Sequence, residues 1–201
     1  MSHLGCWFPL PALLLTGCTV VLTPPSPPQE GRALFLLDHG RHSSLVLERD
    51  DGGLARYSYG DWRYYAEGEA TWGVGFWALL RPTPAALGRR LLPGPADESS
   101  LRKQVAVGVE RLFPLCAEAV AVDRLLGELD QLHQGEHSQR LFRPDYDLEF
   151  VPHPLPYTLQ HNSNYVVGSW LQQLGVGVAG HPRLANWRVA EGESAMPCST
   201  Q

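Results

Sequence analysis

Two residues of this chain have the type and setting for nucleophilic chemistry, Ser163 and His42. Ser163 lies in Asn162-Ser163-Asn164-Tyr165, ahead of apolar residues at 166, 167, 170, 171 and 174. That spacing predicts a helix with one buried face, with Asn162 and Ser163 as cap residues and Gly175 at its end. A hydroxyl in the first turn has free backbone N–H groups and the positive end of the helix dipole beside it. The amides around Asn162 and Asn164 would then hold an oxyanion. The alternative is that Ser163 only caps the helix. His42 lies at the entrance of an expected strand, beside Ser43 and Ser44. An imidazole there can act as a general base, or can be an ordinary satisfied histidine.

The elements that must carry these residues follow from pattern. Arg32 to Leu37 reads as a buried strand, and Ser43 to Glu48 as a second, joined to a return strand over Leu54 to Tyr59 by the turn Asp50-Asp51-Gly52-Gly53. Asp61 suits the cap of a short helix over Trp62 to Tyr65. Thr71 to Leu92, with Trp72, Phe76, Trp77, Pro82 and Pro84, reads as an irregular excursion, and Ala96 to Ser100 as loop. Alternation at Val105, Val107 and Val109 predicts a strand, and Leu115 to His133 carries the longest helical pattern. Ser138 to Gln160 holds Pro144, Pro152, Pro154 and Pro156 and is expected to be loop or edge strand. Strands first and helices interleaved point to an α+β domain.

Other chemistry is weaker. His133-Gln134-Gly135-Glu136-His137 fits the H-x-x-E-H pattern of zinc peptidases, but Gly135 and the polar residues after it read better as a helix terminus. His153, His161 and His181 lie among prolines and polar residues and read as surface or loop. Trp62, Tyr64, Tyr65, Trp72, Phe76 and Trp77 would line a cleft for a sugar or acyl chain, or pack as core. No cofactor or metal is required by this reading.

The chain has 201 residues and a formal charge of −5, enough for one domain with a core and without the basic cluster that nucleic-acid binding needs. Trp7 to Leu15 is a short apolar run that leads into Leu15-Thr16-Gly17-Cys18. The tetrad resembles the bacterial lipobox, whose Cys is acylated and becomes the new N-terminus, although the segment before it has no Lys or Arg. The expected plan is a signal peptide over 1–18, a Pro-rich tether over 19–31, a domain over 32–180 and an irregular tail over 181–201. Thr19 after Cys18 tilts the destination towards the outer membrane. Outside the cytosol Cys116 and Cys198 would be free to pair.

The motifs together resemble a bacterial family of unknown function, the conserved urease-region type. Asp38-His39-Gly40-Arg41-His42-Ser43-Ser44-Leu45-Val46-Leu47 looks like its G-W-H-T-G-I-V-L signature, with Gly40 and His42 on the motif Gly and His. Tyr59-Gly60-Asp61-Trp62-Arg63-Tyr64-Tyr65 resembles its W-G-D-x-x-F-Y segment, and Asn162-Ser163-Asn164-Tyr165-Val166 its N-C-N-T-W motif. The resemblance runs from about 32 to 176 and rests on the order and spacing of short motifs. That family is similar to circularly permuted papain-like proteins of the NlpC type. The likeness implies a permuted papain-like fold, a small antiparallel sheet against helices, with His42 as base and residue 163 as nucleophile. It implies a polar orienter for His42, for which Asp61 fits best and Tyr57 and Tyr59 compete.

One departure matters. Position 163 is Ser where the motif has Cys. An imidazole can hold a thiol as a ready thiolate, whereas an alcohol must lose its proton during attack and needs a well-aligned base. Two functions are therefore expected: a Ser/His hydrolase or acyltransferase on cell-wall peptide amides or lipid esters, or an inactive relative that binds such a ligand. In either case the protein would be a monomer held at the membrane by its lipid.

Overall fold

The structure, a computed structural model, describes residues 19–69, 81–135, 139–192 and 198. A seven-stranded antiparallel sheet has the order β6-β2-β3-β4-β5-β8-β7. Its strands are β2 (Gly31–Asp38), β3 (Ser43–Glu48), β4 (Leu54–Asp61), β5 (Thr83–Leu92), β6 (Arg111–Glu118), β7 (Leu141–Arg143) and β8 (Leu148–Tyr157). A smaller sheet, β10-β1-β9, is built from β1 (Val20–Thr23), β9 (Gly177–Ala179) and β10 (Trp187–Val189). Three α-helices complete the described fold: α1 (Glu98–Gln104), α2 (Ala119–Gln134) and α3 (Ser163–Gln173), together with a π-helical turn over Trp62–Ala66. This is an α+β architecture.

Alternation along the strands sorts the two faces of the large sheet. Leu34, Leu36, Leu45, Leu47, Ala55, Tyr57 and Tyr59 turn to one face, where they meet Leu125 and Leu129 of α2 and Val167, Trp170 and Leu171 of α3. The small sheet adds Val20, Leu22 and Trp187 to the same core. Ala33, Phe35, Leu37 and Val46 turn the other way, onto Leu101 of α1 and Val105. A satellite cluster on that second face joins Trp62, Ala66 and Ala86 to Leu148 and Phe150.

Several expected elements take this form. The β3–β4 hairpin turns at Gly52, whose φ is 78°. Asp61 accepts from Tyr64 N at 2.9 Å and caps the π-helical turn. Asn162 caps α3 by accepting from Asn164 N and Tyr165 N, and Gly175 follows the helix at φ 83°.

Other elements differ. Thr83–Leu92 is a central strand and not an irregular excursion, with Pro84 accommodated where the β5–β8 register shifts. Leu115 to Glu118 belongs to β6 and not to the long helix. The strand is at the sheet edge, which tolerates Pro114. Val105 to Val109 forms no strand, and its valines pack on the second core without a ladder partner. β8 extends through Pro152, Pro154 and Pro156 because β7 pairs only with 148–150, leaving those positions without a neighbour on that side.

The expected tether and tail also change. Val20 and Leu22 are fully buried in β1, and the first part of 19–31 is therefore folded. Trp187 in the presumed tail is fully buried, and Cys198 is disulfide-bonded to Cys116 of β6. The lipobox, Trp72, Phe76, Trp77, Glu136 and His137 lie outside the described residues.

Candidate functional site

Ser163 opens α3 and is buried, as are Asn162 and Asn164. What ties this helix end to the sheet is Ser43. Trp187 Nε1 donates to Ser43 Oγ at 2.8 Å, and Ser43 donates to Asn164 Oδ1 at 2.9 Å. Asn164 Nδ2 in turn donates to the Arg41 carbonyl at 3.2 Å. Asn164 N is occupied by the Asn162 cap at 3.0 Å. The groups expected to face an oxyanion are engaged in holding the helix to β3.

His42 turns to the opposite face of the sheet. Since Ser43, Leu45 and Leu47 point towards α3, its strand neighbours Ser44 and Val46 look the other way, and the His42 ring lies with them. It stacks on His39 with centroids 4.8 Å apart and meets the rings of Tyr65 at 5.7 Å and Tyr146 at 6.4 Å. Among the described residues no hydrogen bond joins His42 to Ser163 or to Asp61. Asp61 is on the α3 face with Tyr57 and Tyr59, and its second carboxylate oxygen accepts from Thr83. Tyr57 donates to Asp130 at 2.6 Å and Tyr59 to the Leu155 carbonyl at 3.1 Å, so neither competitor orients His42. The expected triad residues are thus near one sheet end but divided between its faces.

A different constellation surrounds His42. The two-residue turn at Gly40-Arg41, with His39 N donating to the His42 carbonyl at 3.0 Å and Gly40 at φ 88°, sets the two imidazoles side by side. His39 Nδ1 lies 2.6 Å from the Gly108 carbonyl, which can only accept, so Nδ1 carries the proton. His39 Nε2 then accepts from Ser44 Oγ at 2.9 Å, and Ser44 Oγ accepts from Arg56 Nε at 3.1 Å. Arg56 also donates from Nη1 to the Tyr146 carbonyl at 3.1 Å. The Gly108 carbonyl thus fixes the tautomer of His39, and one buried arginine holds both the Ser44 hydroxyl and the Tyr146 turn.

Compared with protein-family models, with curated proteins and with solved structures, the chain matches none of them.

The paired rings border two adjoining cavities of about 410 and 310 Å³, which share His39, His42, Glu110 and Tyr146. Val107, Gly108, Val109 and Asp145 complete the first, while Gly40, Arg41, Tyr64 and Tyr65 wall the second. Burial, and then the charges of His39 and Arg56, push the His42 pKa down to about 3, against a smaller pull from Asp38. Burial and Arg56 push His39 down to about 4. Both rings are neutral at pH 7. His42 makes no hydrogen bond with the described residues, leaving one ring nitrogen to donate and the other to accept. So weak a base lies far from the operating pH that suits proton abstraction. It is well suited to recognition by hydrogen bonding.

Of these residues, sequence reasoning reached His42, Tyr64 and Tyr65. His39 could have been found from the same Asp38-His39-Gly40-Arg41-His42 turn, whose glycine and length dictate a tight hairpin. Arg56, Glu110, Asp145 and Tyr146 carry no local signal. They meet the histidines through β4, the segment before β6 and the β7–β8 turn. His133 is buried with Nε2 donating to the Glu149 carbonyl at 3.0 Å, a structural role consistent with a helix terminus. Among the described residues no cluster could hold a metal ion.

Proposed function

We propose that this protein is a lipid-anchored cell-envelope module of permuted papain-like descent that binds a cell-wall ligand without hydrolysing it. The observation that carries this reading is the division of Ser163 and His42 between opposite faces of the sheet. A serine without an aligned base is a poor nucleophile. The ligand enters beside His42. Ring faces of His42, Tyr65 and Tyr146 suit a sugar or other flat ring, and Glu110 and Asp145 accept from hydroxyl or amino groups. In the first cavity, lined by both carboxylates and by no arginine or lysine among the described residues, an anionic ligand is disfavoured. The neutral hexosamine rings of a cell-wall glycan meet all three conditions. The Cys116–Cys198 disulfide is in keeping with an oxidising compartment, as the lipobox requires.

The test is titration of the soluble domain with peptidoglycan fragments, followed by NMR. His42→Ala and Tyr146→Ala should each abolish saturable shifts, while Ser163→Ala should leave them unchanged. Labelling by a fluorophosphonate probe that disappears in both Ser163→Ala and His42→Ala would instead identify an activated serine and a hydrolase or acyltransferase.

A further inference from the structure

The N-terminal end of the folded domain marks one side of the molecule. Thr19 follows Cys18 directly, and Val20 already belongs to β1. Val20 N donates to the Asn186 carbonyl at 2.9 Å, and the Thr19 carbonyl packs so closely on Gly180 that a Cβ there would be only 2.6 Å away. Residues 180 and 186 are the two ends of one loop. A lipid on Cys18 would therefore leave that loop no spacer to lift it from the bilayer.

The loop has a surface to match. Leu184 at its tip is 62% exposed, and exposed Arg183 precedes it. Asn162 Nδ2 bridges this loop to the β8–α3 connection, donating to the Leu159 carbonyl at 3.3 Å and the Arg183 carbonyl at 3.5 Å. That connection offers Leu159, 39% exposed, and the end of β8 just before it offers Leu155, 54% exposed. Of the seven large apolar side chains exposed among the described residues, two thus lie on these joined loops and a third, Leu155, on the strand end that leads into one of them. Leucines of this kind enter the interface between headgroups and acyl chains, and an adjacent arginine meets lipid phosphate.

We infer that the domain docks directly on the bilayer through Leu155, Leu159 and Leu184, held there by the lipid on Cys18. The inference rests on the lipoprotein reading above. It orients the molecule: the Asn162 end of α3 faces the membrane. The lipid tethers the domain, and the leucines add a contact of the folded surface that fixes how it sits on the bilayer.

The test uses the full chain expressed in a bacterium that processes lipoproteins and reconstituted in vesicles of phosphatidylethanolamine and phosphatidylglycerol. Leu184→Cys, Leu159→Cys and, as control, Phe142→Cys each carry an environment-sensitive fluorophore. Phe142 is 52% exposed on β7, six residues along the β8 register from Leu155 and thus about 20 Å away. Docking predicts blue-shifted emission and loss of signal to doxyl-lipid quenchers at 184 and 159, with neither at 142. Equal, water-like emission at all three sites of an acylated protein would overturn the docking and leave the anchor standing. Failure of a fatty-acid label to enter the wild type, with Cys18→Ser unchanged, would overturn both.

Discussion

The neutral pair His39 and His42 makes acid stability a direct measure of the cleft. Both rings are half-buried among Arg56, Asp38, Tyr65 and Tyr146, with Glu110 and Asp145 lining the cavities beside them. Their folded pKa values, about 4 and about 3, are below the ordinary 6.5. For a base held neutral in this way, the unfolded chain binds more protons than the native one between those values. Stability is therefore complete above pH 6.5 and declines as pH falls towards 4 and 3. At about pH 4.5 the unfolded rings are nearly all protonated, the folded His42 is nearly all neutral and the folded His39 mostly so. Two pH units at about 1.4 kcal/mol each give about 2.7 kcal/mol per ring, or about 5 kcal/mol for the pair. That is a large part of the 5–15 kcal/mol on which a typical domain relies, taken here as an order of magnitude of about 10. Urea unfolding at about pH 7.5 and about pH 4.5 should show this loss in the wild type. The double variant His39→Gln, His42→Gln should lose less by about that amount, the remainder coming from His133, His153 and the carboxylates. Equal acid losses in wild type and variant would refute the argument that the two rings are held neutral by the fold.

Three further outcomes follow from particular contacts. Ser43→Ala strands Trp187 Nε1 and Asn164 Oδ1, both deprived of the hydroxyl that joins them, and should cost about 1–3 kcal/mol in urea unfolding. Cys198→Ser should lower stability by about 2–5 kcal/mol, because the bridge to Cys116 closes a loop of 82 residues; added reductant should bring the wild type to the same melting curve. Gly60→Ala places a methyl into the Tyr65 ring that packs over it. About 1–3 kcal/mol of overpacking strain should appear in thermal melts, and displacement of Tyr65 should weaken ligand shifts in the NMR titration.

Some features were legible from the chain alone because their causes are local. The Asp50-to-Gly53 turn forms from the conformational freedom of its glycines. The Asn162 cap and Gly175 stop of α3, like the Asp61 cap of the π-helical turn, need only neighbouring backbone groups. The strands β2, β3 and β4 were legible as short apolar runs that had to be buried, joined by a turn. Elements that depend on distant partners were not legible. β1 and β10 are four- and three-residue strands that exist because each pairs with the other and covers α3. β5 carries Pro84 and small residues, and only its place between β4 and β8 makes it a strand.

The site shows the same division. Sequence put histidine at 42 and serine at 163 and marked both as residues that could act. Which face His42 takes was decided by tertiary structure, since adjacent residues of a strand look to opposite sides and a motif cannot say which side meets the helix. Ser43 took the place facing α3. Arg56, buried under the hairpin, then drew His39 and the Tyr146 turn around His42. Residue types fixed what chemistry was available, and the pleat of one strand decided which side chains share a cavity.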